Sequence, residues 1–352
     1  MGLATAKLIC EEGYYTILVG RTASKLEKAV NNLRSAGGEA EAFSCDVSNR
    51  ESCFALAKHA AECGEVKAVL QICHGMVEYI KRYDEFAEFL CGKGFYVVGN
   101  DHLGHGKSVQ AKSEYGFFSE KYGNACVIGD IHTLRQRTMK KYPNVPYFML
   151  GHSMGSSLLR QYIQMYGKGL SGAIIMGAVA DHKKATLVFG KRLCRLMAAV
   201  RGWHYRSHFV DHLVVGNFNR KFKPARTRAD WVTSDREHLD AYVSDPLCSF
   251  VFTVNAYYSM FSGMISMQRK EGVYMIPKNL PILFAAGSED PVGNFGKGVR
   301  KIYEKYRAAG IRDVSLQLYT GDRHEILNES DREQVYDDLF EWLAGHMENK
   351  VL

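Results

Sequence analysis

Ser153 sits in the run Gly151-His152-Ser153-Met154-Gly155, between an apolar stretch that reads as a strand, Pro146 to Leu150, and an amphipathic stretch that reads as a helix, Met154 to Met165. A serine at so abrupt a strand-to-helix turn presents its hydroxyl at the sheet edge, and the crowding there admits only glycine or a very small residue on either side. Gly151 and Gly155 supply that room. In a chain with 33 glycines the bare pattern arises readily by chance, so its placement between strand and helix is what points to a nucleophile. An activated serine needs a histidine to take its proton and a carboxylate to orient that histidine. Asp290 follows the apolar strand Ile282 to Ala286, and His324 follows the strand Val314 to Leu318 through the loop Thr320 to Arg323, so serine, acid and base occur in the order that an elbow serine requires. Glu289 is the neighbouring alternative to Asp290, and the turn Gly287-Ser288-Glu289-Asp290-Pro291 favours the shorter side chain. Two backbone N–H groups should hold the oxyanion: that of Met154, directly after the serine, and that of Met76 in the loop His74-Gly75-Met76. These residue types in this order imply acyl transfer.

The elements that must carry these residues alternate between strand and helix. From Lys67 onward, strands are expected at Ala68 to Cys73, Phe95 to Gly99, Pro146 to Leu150, Gly172 to Met176, Ile282 to Ala286 and Val314 to Leu318, with helices around Tyr83 to Lys93, Met154 to Met165 and Asp331 to His346. Such alternation implies an α/β fold with a doubly wound, mostly parallel sheet, whose ligands bind outside the carboxyl ends of the strands. About a hundred residues separate Met176 from Ile282, far more than a crossover needs, so residues from about 180 to 275 should form a helical cap. Within it Leu187, Val188, Leu193, Leu196 and Met197 are expected to share an apolar helix face, and the stretch from Phe250 to Met267 suits an acyl pocket. Residues 1 to 65 carry a separate rhythm: a helix from Leu3 to Glu12, a strand from Tyr15 to Val19, a helix from Ser24 to Ala36, a strand from Ala40 to Cys45 and a helix from Asn49 to Cys63. Two domains are expected, 1–65 and 66–352.

The net charge of +7 is concentrated. Between Lys183 and Arg228 twelve Lys or Arg face one acid, Asp211, so this part of the cap is strongly basic and suits peripheral contact with an anionic membrane surface, while a solvated basic face is the plainer alternative. No nucleic-acid partner is expected. Nine cysteines, an odd number without a C-x-x-C pair, suggest neither a zinc site nor a disulfide framework, and a reducing cytoplasm is the expected setting. Neither a leader pattern at residues 1 to 12 nor an apolar run long enough to span a membrane is evident.

Residues 67 to 352 resemble the monoacylglycerol lipase and lysophospholipase branch of the α/β-hydrolases, often grouped with the serine aminopeptidases. The resemblance rests on H-G-M-V-E (74 to 78), N-D-H-L-G-H-G-K-S (100 to 108), G-H-S-M-G (151 to 155), N-R-K-F-K-P-A-R-T-R-A-D-W (219 to 231), S-D-P-L-C (244 to 248), G-S-E-D-P-V-G (287 to 293) and R-H-E-I-L-N-E (323 to 329). It implies cleavage of small carboxylic esters, typically monoacylglycerols or lysophospholipids, without a metal or organic cofactor. Tyr79 departs from the family, which commonly has histidine there. An aminopeptidase is less well matched, because proline iminopeptidases resemble H-G-G-P-G where this chain has H-G-M-V-E.

Residues 1 to 65 resemble a short-chain dehydrogenase entered part-way. Gly2-Leu3-Ala4-Thr5-Ala6 is similar to the end of its glycine-rich loop, Val19-Gly20-Arg21 to the end of its second strand, and Cys45-Asp46-Val47 to its adenine-contacting turn. The first strand and most of the phosphate-cradling glycines have no counterpart, so no dinucleotide site is expected; a vestigial or bifunctional NADP-dependent oxidoreductase is the alternative reading. The chain resembles a join between two incomplete family sequences.

Overall fold

The computed structural model describes residues 2–12, 14–63 and 66–347, which divide into two compact units, Met1–Val66 and Lys67–Leu352. In the first unit, α1 (Gly2–Glu11) precedes β1 (Thr16–Gly20), α2 (Ala23–Ser35), β2 (Ala40–Ser44) and α3 (Arg50–Cys63). The two strands pair in parallel, Thr16 opposite Ala40 and Gly20 opposite Ser44, with α2 as their crossover. Ala6, Cys10, Val30, Leu33 and Ala40 form its small core.

The second unit is built on six parallel strands: β3 (Ala68–Cys73), β4 (Phe95–Gly99), β5 (Tyr147–His152), β6 (Gly172–Met176), β7 (Ile282–Gly287) and β8 (Val314–Tyr319). Their order across the sheet is β4-β3-β5-β6-β7-β8. Every residue of β3, β5, β6 and β7 is buried, because helices cover both faces. Strands of this kind read as mainly apolar runs, and for that reason they are legible. On one face α4 (Asp84–Cys91) and α13 (Arg332–Gly345) bring Phe86, Leu90, Val335, Tyr336, Leu339 and Leu343 against Leu70, Ile72, Phe148 and Ile174. On the other lie α5 (Gly123–Lys141), α6 (Met154–Tyr166) and α12 (Lys297–Ala308), where Gln71 donates to the Ile131 carbonyl at 3.0 Å and Phe284 packs edge-on to Tyr306.

The chain runs from β3 out to β4 and then returns to place β5 on the other side of β3, so the winding reverses between β3 and β5. Cys73 pairs with Gly151 across that line, which brings the loops after both strands to the crevice where α/β sheets bind ligands.

Between β6 and β7 the chain forms α7 (Lys184–Arg201), α8 (His208–Val215), α9 (Arg236–Ser244), α10 (Val254–Met267) and α11 (Lys270–Met275). Side-chain caps start three of them: Ser207 accepts from the Val210 N–H, Asp235 from His238 and Thr253 from Ala256. The buried face of α7 is Leu187, Gly190, Cys194 and Ala198, a row of mainly small residues against α10. Leu196, expected on that face, is exposed, because two positions beyond Cys194 a helix points nearly the opposite way. Among the described residues no helix is long and apolar enough to cross a membrane.

Candidate active site

At the end of β5, Ser153 adopts φ 55° and ψ −118°, outside the regions open to ordinary residues. Such a backbone costs about 1–3 kcal/mol and persists only where its surroundings fix it. Its N–H donates to the Met176 carbonyl at 3.1 Å, and α6 begins with the next residue. A Cβ on Gly155 would fall 2.6 Å from the carbonyl carbon of Cys73 and 2.6 Å from the His74 oxygen, and one on Gly151 would fall 2.8 Å from the Gly155 carbonyl carbon. The helix start therefore lies directly against the end of β3.

Asp290, fully buried three residues beyond β7, accepts from His324 Nδ1 at 3.0 Å through Oδ2 and from the Val292 N–H at 2.8 Å through Oδ1. Glu289 is exposed, and its N–H donates to the Asp322 carbonyl at 2.8 Å. His324 Nε2 is buried and has no hydrogen-bond partner, and the Ser153 hydroxyl also makes none among the described residues. The structure thus joins acid to histidine and leaves the histidine-to-serine hydrogen bond open; such bonds often close only when substrate is bound. The His324 ring lies between those of His152, 4.7 Å away, and Trp231, 5.1 Å away.

The loop after β3 brings Gly75 beside Ser153, with 3.1 Å between an added Gly75 Cβ and Ser153 Cβ. The N–H groups of Met76 and Met154 donate to no protein acceptor among the described residues. Val77 next door has φ 57°, unusual for a β-branched residue, and its N–H donates to His105 Nε2 at 3.3 Å.

Behind these loops lies a buried ionic network. Glu78 accepts from the Gly75 N–H, from Tyr83 at 2.9 Å and from Arg82 at 3.0 Å, and Arg82 grips Glu325 at 2.7 and 2.6 Å. Burial alone would raise the Glu78 pKa, but the hydrogen bond and charge of His152, with Arg82, hold it well below the usual carboxylate range. A cap strap holds the loop after β8: the carbonyls of Trp231 and Val232 accept the N–H groups of His324 at 3.4 Å and Glu325 at 2.8 Å. Arg323 donates to the carbonyls of Asp230 and, at 3.1 Å, Thr233, while its guanidinium stacks 4.4 Å over Phe222. Tyr79 also reaches the cap, donating to Asp245 at 2.8 Å. Sequence reasoning missed the network and the strap; the only local signal was the i, i+4 pair of Glu78 and Arg82.

Among the described residues no group of histidine, cysteine or acidic side chains is arranged to hold a metal ion.

The six-stranded parallel sheet, with its cap between β6 and β7, is the fold of the α/β-hydrolases. Residues 64–331 match the family described as serine aminopeptidase, S33, and the chain belongs to it. Residues 1–85 match the short-chain dehydrogenase family, overlapping the first match across β3 and the loop after it. A monoacylglycerol lipase of Mycolicibacterium smegmatis is 26% identical over 285 residues, covering 80% of this chain and 89% of that protein. The human monoglyceride lipase is 24% identical over 308 residues, covering 84% and 88%. Among solved structures, a thermostable carboxyl esterase from Bacillus coagulans superposes with a TM-score of 0.75 at 28% identity, over 81% of this chain and 92% of that one.

Proposed function

We propose that this serine ester hydrolase cleaves carboxylic esters of small lipids, of monoacylglycerol or lysophospholipid type, through Ser153, His324 and Asp290. The observations that carry the reading are the buried Asp290–His324 pair and, at the end of β5, a serine held at positive φ. Ser153 attacks the ester carbonyl while His324 Nε2 takes its proton, and Asp290 keeps the other ring proton on Nδ1. The Met76 and Met154 N–H groups receive the oxyanion, the alcohol leaves with the proton from His324, and water repeats the sequence on the acyl-enzyme. The names of the lipase relatives support the lipid ester class.

A fluorophosphonate probe tests the nucleophile: labelling of the native chain that disappears in Ser153→Ala is expected, and undiminished labelling of that variant refutes the assignment. A panel of monoacylglycerols, lysophospholipids and short nitrophenyl esters tests the substrate class.

The basic cap, 183–228, is proposed to face an anionic lipid surface. Phe189, Leu196, Val200, Phe209 and Leu213 are exposed among its basic residues, a combination that suits an interface with lipid head groups. Co-sedimentation with vesicles containing anionic lipid should exceed that with neutral vesicles and weaken with salt; salt-insensitive or absent binding refutes it. A cytoplasmic setting is proposed for the chain, and the eight cysteines whose side chains are described are free.

A further inference from the structure

The buried histidines around the site differ in what their ring nitrogens face. His74 gives Nδ1–H to the Gly75 carbonyl at 2.8 Å and accepts the His102 N–H on Nε2 at 2.9 Å. His105 does the same between the Leu103 carbonyl at 3.0 Å and the Val77 N–H at 3.3 Å. One acceptor and one donor satisfy a neutral ring. Burial lowers the pKa of both, that of His105 to about 3.

His152 is placed differently. Its Nε2 faces the main-chain carbonyl of His324 at 3.2 Å, which can only accept. Its Nδ1 faces Glu78 Oε1 and the Tyr83 hydroxyl oxygen, each at 3.1 Å. The single Tyr83 proton goes to Glu78, 2.9 Å away, and Glu78 receives further donors from Gly75 and Arg82, as suits an ionised carboxylate. Both ring nitrogens of His152 therefore meet acceptors, and only a doubly protonated ring supplies both.

We propose that His152 is an imidazolium held by Glu78, and that it is a positioning residue whose Nε2–H fixes the carbonyl of His324 and with it the backbone that aims the base. The proposal rests on reading His324 as the general base. The charged and titratable groups around the ring are Glu78, Arg82, Tyr83 and His74 from the segment after β3, and His324 and Glu325 from the loop after β8. Two carboxylates, Glu78 and Glu325, balance Arg82 and His152, so the buried set is neutral as a whole. Burial pulls the His152 pKa down, but the hydrogen bond and charge of Glu78, helped by Glu325, raise it above the ordinary histidine value.

The experiment is nitrogen-15 NMR of the intact, uniformly labelled protein, with the His152 signals assigned by their loss in H152Q, combined with ester kinetics. Both His152 ring nitrogens should be protonated at neutral pH, where an ordinary histidine is mostly neutral. H152Q, whose amide can donate to the same carbonyl, should keep kcat within about threefold, whereas H152L should lose about 30-fold at unchanged KM, as expected for a lost hydrogen bond from a charged group. E78Q should abolish the second ring proton and lower kcat. A His152 ring with one bare nitrogen at neutral pH, or equal kcat in H152Q and H152L, overturns the proposal. Should H152L fail to fold, the wild-type spectrum and the E78Q kinetics decide. A doubly protonated His152 in a protein that turns over no ester supports the charge assignment and sinks only the esterase reading.

Discussion

Replacing Gly155 by alanine tests whether the contact between α6 and the end of β3 sets the proposed oxyanion site. The added methyl would sit 2.6 Å from the Cys73 carbonyl carbon and from the His74 oxygen, where an ordinary contact between carbon atoms is about 3.5 Å. Relief requires α6 and β3 to part by about 1 Å. Met154 rides on α6 and Met76 on the loop after β3, so the two N–H donors separate by the same amount. A misplacement of about 1 Å costs about 100-fold in rate, equivalent to about 2.7 kcal/mol. Overpacking should also cost about 2 kcal/mol of stability, lowering Tm by about 4–8 °C in a unit of this size. Hydrolysis of a short nitrophenyl ester and a calorimetric melt measure both. An alanine variant with parental kcat/KM and an unchanged Tm refutes the reasoning, because glycine to alanine near a helix start is otherwise neutral or stabilising.

Gly129→Ala is the converse: in α5, exposed, with nothing within 4 Å of the added Cβ, it should stabilise the chain by about 1 kcal/mol, seen as a raised denaturant midpoint. Asp290→Asn should lower kcat by about 10⁴ with the fold retained, since an amide placed against His324 Nδ1 favours the wrong tautomer; an active variant with an unchanged circular dichroism spectrum would transfer the acid role elsewhere. Asp322 is buried, with one carboxylate oxygen unpartnered; burial and the charges of Asp331 and Glu329 push its pKa from 3.8 up to about 7. The folded chain thus holds a proton that the unfolded chain has released, so this group's contribution is full below about pH 4 and is lost as pH rises through about 7. Melts at several pH values should show that Asp322→Asn flattens this decline, and an equal slope in both proteins contradicts it.

What the sequence makes legible follows burial. β3, β4 and β6 are bounded as their apolar runs indicate, because strands packed under helices are mostly apolar, and a polar residue such as Gln71 in β3 is admitted only with a partner. The elbow is legible because its glycines answer to a local steric demand. By contrast, α5 is not singled out by its pattern: it buries Arg135 and Thr138 alongside Val127, Ile128 and Ile131, so its inward stripe is not purely apolar. The network around His152 is invisible for another reason. Glu78, His152 and Glu325 come from three distant parts of the chain, and nothing near any one of them in the sequence names its partners. Likewise the apolar face of α7 was misjudged at Leu196, where hydrophobicity alone could not tell inward from outward.

The strap from Asp230 to Thr233 has a bearing on engineering. Because its main-chain oxygens receive the amides of His324 and Glu325, the lid does more than cover the sheet edge; it supplies part of the scaffold for the proposed proton acceptor. A chimera that imports a foreign lid to alter selectivity should therefore retain these four residues and Arg323, and a truncation that deletes them would cripple turnover even where it widens the entrance.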